Sequence, residues 1–187
     1  MIKNKGTIIA NDKSIGRVKI LSSNLERCSC SNVIITRNDA VQFCEKLKKT
    51  GMNFDKILLD LPCSGEGTLR SSPKTFLIWN LKMINKLSRI QKKIAASAIS
   101  LLKQEGTLVY STCTHTPEEN ESVVSFLVTN FNMQVEPVSL PIKFRPGITS
   151  WEKEKFSNEV EKSCRIYPQD NNTEGFFLAK LKFKEKE

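Results

Sequence analysis

No stretch of this sequence runs apolar for the ~20 residues that a membrane span needs, so no spanning helix is expected. The opening residues, Met1-Ile2-Lys3-Asn4-Lys5-Gly6, lack the apolar core of a secretory signal, and none is expected. Histidine occurs once, at position 115, and Cys28-Ser29-Cys30 has no second Cys or His pair at ligand spacing. A zinc site is therefore not expected. Gly65-Glu66-Gly67 lacks the third glycine of a dinucleotide fingerprint and the Gly-Lys-Ser/Thr ending of a phosphate loop. Internal repeats, low-complexity tracts and linkers are also missing. The six cysteines are scattered rather than dense, which excludes a disulfide-stapled secreted scaffold and points to reduced thiols in a cytoplasmic protein.

What is present is a chain of 187 residues, 39% hydrophobic and 26% charged, the composition of a soluble globular domain. Lys and Arg number 29 against 20 Asp and Glu, a net charge of +9 that favours an anionic partner, nucleic acid first. Short apolar runs alternate with helical patterns. Thr7–Ala10, Asn32–Thr36, Asp55–Asp60 and Thr107–Thr112 read as buried strands, with two further strands near Met133–Pro137 and Gly175–Phe183. Ser14 is placed to cap a helix through Cys28, and Asp39 one that Gly51 terminates. Helical spacing also runs from Thr75 to Lys103, and Pro117-Glu118-Glu119 is expected to open a helix reaching Asn130. The segment from Ser139 to Asn172 is the least regular. The alternation predicts a parallel, doubly wound α/β sheet.

Ligands of such sheets sit beyond the carboxyl ends of the strands. The strand ends here deliver Asn11-Asp12, Asn38-Asp39, Asp60-Leu61-Pro62-Cys63 and Ser111-Thr112-Cys113. Three acids and two cysteines are thus expected on one rim. A carboxylate after the second strand commonly takes ribose hydroxyls, and each acid alone also suits a helix cap. Cys113, expected just before a helix N-terminus, is placed where the dipole favours thiolate. Cys44 and Cys164 suit the ordinary reading of a small buried hydrophobe. His115 reads as a surface residue, and the tail Lys180–Glu187 as a frayed strand end. Lys82, Lys86, Arg89, Lys92 and Lys93 form either a phosphate-contacting stripe or a solvated helix face.

Asp60-Leu61-Pro62-Cys63-Ser64-Gly65 and Ser111-Thr112-Cys113-Thr114 resemble the two signature motifs of the Nol/Nop/Sun-type RNA cytosine-5 methyltransferases. Gly6–Asp12 with Asn24–Arg27, Asp39-Ala40, Arg145-Pro146-Gly147 and Gly175–Lys180 extend the likeness over nearly the whole chain. The resemblance implies a Rossmann-like class I S-adenosylmethionine-dependent methyltransferase sheet, with residues 1–187 as its N-terminally incomplete catalytic domain; the RNA-binding extension common in the family has no counterpart here, and no separate RNA-binding domain is expected. It implies that Cys113 adds covalently to C6 of cytosine so that C5 can take the methyl group, and that Cys63 assists release. Asp60 is carried over to the polar edge of the base. Asp12, Asp39, Asp60 and Pro62 form the implied contacts to S-adenosylmethionine. The implied partner is RNA, tRNA favoured over rRNA.

The likeness has one gap. The family's first strand and its Ala-Pro-Gly-Gly-Lys loop have no counterpart among the 187 residues. Three expectations follow: half of a split enzyme completed by an N-terminal-half polypeptide, an incomplete reading frame, or a chain that folds alone with weakened cofactor binding. The reading from another class is a catalytically silent RNA-binding or assembly subunit.

Overall fold

The structure, a computed structural model, describes residues 5–185. They form two compact units, one up to Met52 and one from Asn53 onward.

The first unit comprises β1 (Ile8–Asn11), α1 (Ile15–Arg27), β2 (Val33–Thr36) and α2 (Ala40–Lys49). β1 and β2 form their own parallel pair, in register from Ile8↔Val33 to Asn11↔Thr36. Both strands are rich in β-branched residues, which suit a pleated surface. Ser14 caps α1 by accepting from the Arg17 amide, and Asp39 caps α2 by accepting from Val41 at 3.2 Å and Gln42 at 3.5 Å. Gly51, at φ +73°, takes the chain out of α2 in a conformation costly for other residues.

The second unit contains β3 (Phe54–Asp60), α3 (Thr75–Ile78), α4 (Leu81–Ile99), β4 (Leu102–Thr112), α5 (Glu121–Asn130) and β5 (Met133–Glu136). It continues with β6 (Arg145–Pro146), β7 (Ser150–Trp151), β8 (Glu154–Lys155), β9 (Cys164–Ile166), α6 (Pro168–Asn171) and β10 (Phe176–Phe183). A six-stranded sheet runs β3-β4-β10-β9-β6, with β5 also on β10, while β7 and β8 pair separately. The fold is a Rossmann-like α/β sheet, and its parallel pairing stops at β4. β3 and β4 are parallel, whereas β10 runs antiparallel to β4, β5 and β9. β10 gives one edge to β4 and divides the other: Phe176–Leu178 pairs with β9 and Lys180–Phe183 with β5. β3 is an edge strand, and its Leu58 is 69% exposed.

The core is built where β4 and β10 carry alternate apolar side chains inward. Leu108, Tyr110, Phe177 and Leu181 are buried, as are Val124 and Leu127 of α5. Tyr110 meets Phe177 edge-on, ring centroids 6.3 Å apart, a favourable quadrupole arrangement.

Three expected boundaries move. The helical stretch from Thr75 to Lys103 is two helices, because Asn80 turns out of helical geometry and caps α4 through Met83 N at 2.8 Å. It ends at Ile99, since Leu101 and Leu102 are buried at the start of β4, with a register shift between Phe54↔Leu102 and Lys56↔Thr107. α5 begins at Glu121 rather than Pro117. Glu119 and Asn120 turn inward to bond the sheet ends, and helical backbone would not aim both there. Of the expected tail, Lys180–Phe183 lies in β10, while residues 186–187, like 1–4, lie outside the described residues.

Candidate active site

The parallel register Asp60↔Ser111 sets the loops after β3 and β4 side by side, so Cys63 and Cys113 emerge as neighbours with Sγ atoms 3.2 Å apart. Backbone bonds lock the loops: Gly67 N donates to Cys113 O at 2.9 Å, and Gly175 N to Gly67 O at 2.8 Å. Gly65 turns through φ +77° to start the 3-10 turn Glu66–Thr68. Hydroxyls of Ser64 and Thr114 meet at 2.7 Å. Glu119, fully buried, accepts from Ser64 N at 3.1 Å and from Gln91 Nε2 at 2.8 Å, and Gln91 also donates to Pro62 O at 2.9 Å.

A Cβ on Gly67 would stand 2.2 Å from Gly175 O and 2.9 Å from Cys113 O, both backbone atoms that cannot swing aside. Gly67→Ala is therefore expected to cost about 1–3 kcal/mol in a urea unfolding midpoint, as overpacking does. Gly16→Ala, whose Cβ meets nothing nearer than 3.8 Å, is the control and should hold or raise stability. Equal effects of the two changes would contradict the close approach.

The thiols are electrostatically opposed. The hydrogen bond from the Cys63 thiol holds Cys113 down to about 7 from an ordinary 9.0, against burial and the charges of Asp60 and Glu119. The same bond, then burial, pushes Cys63 far up. Cys113 is thus the more acidic thiol of the pair, with Cys63 as the donor to it. The sequence predicted this acidity, but for another reason: the helix after Cys113 starts only at Glu121, and the neighbouring thiol replaces the helix terminus as cause. Alkylation of Cys113 by iodoacetamide, followed by peptide mass mapping, is expected to rise with pH through about 7. In Cys63→Ala the midpoint should move upward, because the stabilising donor is gone while burial and the carboxylates remain. An unmoved midpoint would overturn this cause.

Around the pair lies a polar framework. Glu66 accepts from Thr116 Oγ1 at 2.8 Å, Thr114 Oγ1 at 3.2 Å, His115 N at 3.3 Å, and Trp79 Nε1. Asn120 bonds Thr112 Oγ1 at 2.6 Å and Thr114 O at 2.9 Å. Arg165, 4% exposed, pairs with the fully buried Glu121, donates to His115 O, and reaches Tyr167 OH at 2.7 Å. His115 is not the surface residue expected: it is half-buried, stacks on Tyr167 at 4.9 Å, and would meet a Gly175 Cβ at 2.2 Å. Burial, then the Arg165 charge, pushes its pKa down.

Asp60 and Pro62 are exposed at the end of β3, beside the thiols. In the first unit, Asp12 and Asp39 stand at the carboxyl ends of β1 and β2. Asp12 accepts from Ser14 N at 2.7 Å and Arg17 Nη1 at 3.4 Å. Asp39 caps α2 and pairs with Lys13 at 3.2 Å, which holds its carboxyl below the usual range. Asp39 thus acts locally as a cap and Asp12 as the acceptor of the turn before α1, with their ion-pair partners largely exposed. Among the described residues, no cluster of three or more His, Cys, Asp or Glu gathers as a metal site, and no helix is long and apolar enough to cross a membrane. A shallow concavity at the far end of β4 and β10, lined by Gln104, Glu136 and Lys182, contains neither thiol.

Sequence reasoning passed over Glu66, Glu119, Glu121 and Arg165. The available signal was a string of carboxylates directly following Cys113, three of them within residues 118–121.

The sequence matches the family profile described as 16S rRNA methyltransferase RsmB/F over residues 1–182. It is similar to the tRNA (cytosine(49)-C(5))-methyltransferase of Pyrococcus abyssi, 41% identical over 97% of this chain and 57% of that protein. It is 41% identical to the ribosomal RNA small subunit methyltransferase F of Aliivibrio salmonicida, over 97% of this chain and 36% of that protein. The crystal structure of NSun6 from Pyrococcus horikoshii with SFG superposes with a TM-score of 0.81 at 38% identity, covering 98% of this chain and 43% of that one. The chain thus spans between about a third and somewhat over half the length of these relatives.

Proposed function

The chain belongs to the RsmB/F methyltransferase family, and from that premise we propose that residues 1–187 are the catalytic domain of an RNA cytosine-5 methyltransferase using S-adenosylmethionine. The observation that carries the reading is the thiol pair, 3.2 Å apart and opposed in acidity. Cytosine C5 is a poor nucleophile until something adds to C6, and a thiolate is suited to that addition. Cys113 Sγ bonds to C6, which pushes electron density to C5. S-adenosylmethionine supplies the electrophilic methyl group on its sulfonium. Once C5 carries the methyl group, its proton must leave and the C6–S bond must break, returning Cys113 as thiolate.

Cys63 fits the release step for a physical reason. Its proton is held by the adjacent Cys113 sulfur, and that hold weakens when the Cys113 electron pair is committed to the C6–S bond. Cys63 is then easier to ionise; once it has given its own proton to solvent, its thiolate can take the C5 proton as the C5–H electron pair restores the C5=C6 bond and expels the Cys113 sulfur. Asp60, exposed beside the pair, is placed to meet the polar edge of the base. Asp12 and Asp39 suit ribose and adenine contacts, since the cations now on them are solvent-exposed and displaceable. Pro62 and Asp60 present an open rim for the cofactor's methionine end.

Transfer RNA is the proposed substrate, supported by the 41% identity to the Pyrococcus abyssi tRNA enzyme, of which the chain covers the larger share. The proposal includes a separate N-terminal-half polypeptide that adds a strand to β3, whose free edge and 69% exposed Leu58 suit one. The test is transfer of labelled methyl from S-adenosylmethionine to tRNA and to small-subunit rRNA transcripts, by this chain alone and with such a polypeptide. Methylated tRNA cytosine is expected, more with the added polypeptide than without. Transfer to neither RNA under either condition would overturn the enzymatic reading.

A further inference from the structure

Residues 67–104 contain eight Lys and Arg and no Asp or Glu, so nearly all of the +9 charge arises from one fifth of the chain. The structure shows where those cations point. Lys82, Lys86, Arg89 and Lys93 share the exposed face of α4, opposite the buried Ile84, Ser88, Gln91 and Ala95. They extend over roughly 16 Å of helix. Among the described residues none of the four has an ion-pair partner within 4.0 Å. Lys92 is different: half-buried, it bonds Ser122 Oγ at 2.9 Å and lies over the Phe126 ring.

The same segment leaves its apolar side chains outside. Phe76 is 74% exposed, Leu77 81%, Ile78 62% and Trp79 41%, four consecutive residues that nothing in the unit covers. This patch is tied to the active site. The Trp79 indole donates to Glu66, and the same carboxylate binds Thr114, His115 and Thr116, the residues that follow Cys113. Exposed rings beside an unneutralised cation stripe, one carboxylate from the nucleophile's loop, match what single-stranded nucleic acid requires: faces for bases and charges for phosphates.

We propose that α3 and the exposed face of α4 form a platform for the single-stranded RNA flanking the target cytosine, with Phe76 and Trp79 stacking on bases and Lys82, Lys86, Arg89 and Lys93 meeting phosphates. The inference rests on the RNA reading above and adds the surface that grips the strand. Unpaired cations beside exposed rings match the phosphates and bases of RNA together, whereas a second copy of this chain would present an equally cationic face.

The test is fluorescence anisotropy of a labelled oligouridylate with the full chain, without S-adenosylmethionine, across a salt series. Phe76→Ala is expected to weaken binding about tenfold. Lys82→Glu with Lys86→Glu should weaken it further and flatten the salt dependence by roughly 0.7 in slope per lost contact. Lys48→Glu with Lys49→Glu, both exposed on α2, carries the same charge change outside α3 and α4 and should bind nearly as the unmodified chain. Circular dichroism confirms that each variant is folded. Patch variants that bind as tightly as the unmodified chain would overturn the platform and leave the face to a protein. A loss in the Lys48→Glu/Lys49→Glu variant as large as that of the double patch variant would overturn it in favour of net charge. An unmodified chain that binds no RNA would overturn both the platform and the RNA reading.

Discussion

Cys113→Ala is expected to abolish methyl transfer, a loss on the order of 10⁴–10⁶-fold, the scale of removing a covalent nucleophile. Cys63→Ala should fail differently. Its Cys113 still adds to C6 and methylation at C5 still occurs, but the thiol that takes the C5 proton is missing. RNA should remain bonded to the protein as a species surviving denaturing electrophoresis. The double variant should form no such species, because the sulfur that holds the RNA is gone. Normal turnover by Cys63→Ala without an adduct would remove Cys63 from the release step while leaving Cys113 as nucleophile. An adduct from Cys113→Ala would reverse the two assignments, which the 3.2 Å separation makes a meaningful comparison.

Arg165→Leu is expected to destabilise the fold by about 3–5 kcal/mol, seen as a lower urea midpoint with an unchanged slope. The variant leaves Glu121 fully buried without its cation and frees the carbonyl of His115. Replacing Arg165 and Glu121 together by apolar residues should recover much of the loss, because the uncompensated charge disappears. The pH dependence has a definite sign. Burial already raises the Glu121 pKa above its ordinary 4.5, with Arg165 opposing, so removing the guanidinium raises it further. A carboxyl with a raised folded pKa binds its proton more tightly when folded. It contributes stability below its unfolded value that is lost as pH rises through the folded one. Arg165→Leu should therefore show its largest deficit at neutral pH and a smaller one near pH 4. A deficit independent of pH would mean that Glu121 is not the group left uncompensated.

Much of the fold is legible in the sequence because it is local. The strands around Ile9, Ile34, Leu58 and Val109 are short β-branched or leucine runs, and Ser14 and Asp39 cap helices as their residue types dictate. Cys63 and Cys113 are legible as strand-end residues, and parallel pairing does the rest. Other features depend on partners far along the chain. Nothing local tells Leu101 and Leu102 to leave a helix for β4, since the apolar periodicity continues through them. Glu119 breaks the expected helix at Pro117 only because Ser64 and Gln91, 55 and 28 residues away, supply donors for its buried carboxylate. His115 looks like a surface residue until Tyr167 stacks on it and Arg165 holds its carbonyl. Burial of a charged side chain is a tertiary fact.

The position of β10 bears on how this protein is made. It joins β4, β5 and β9, all of which leave the ribosome before it does. During vectorial synthesis β4 therefore waits with one edge unpaired, and Leu108 and Tyr110 lack the cover of Phe177 and Leu181. Ribosomes stalled before Phe176 would display a half-built sheet, a substrate for chaperones and for edge-to-edge association. The glycine step at Gly175 adds a proofreading character to the same event. Its amide bonds Gly67 O, and Gly67 N bonds Cys113 O, so the arrival of β10 also braces the loop that carries the Cys113 thiol.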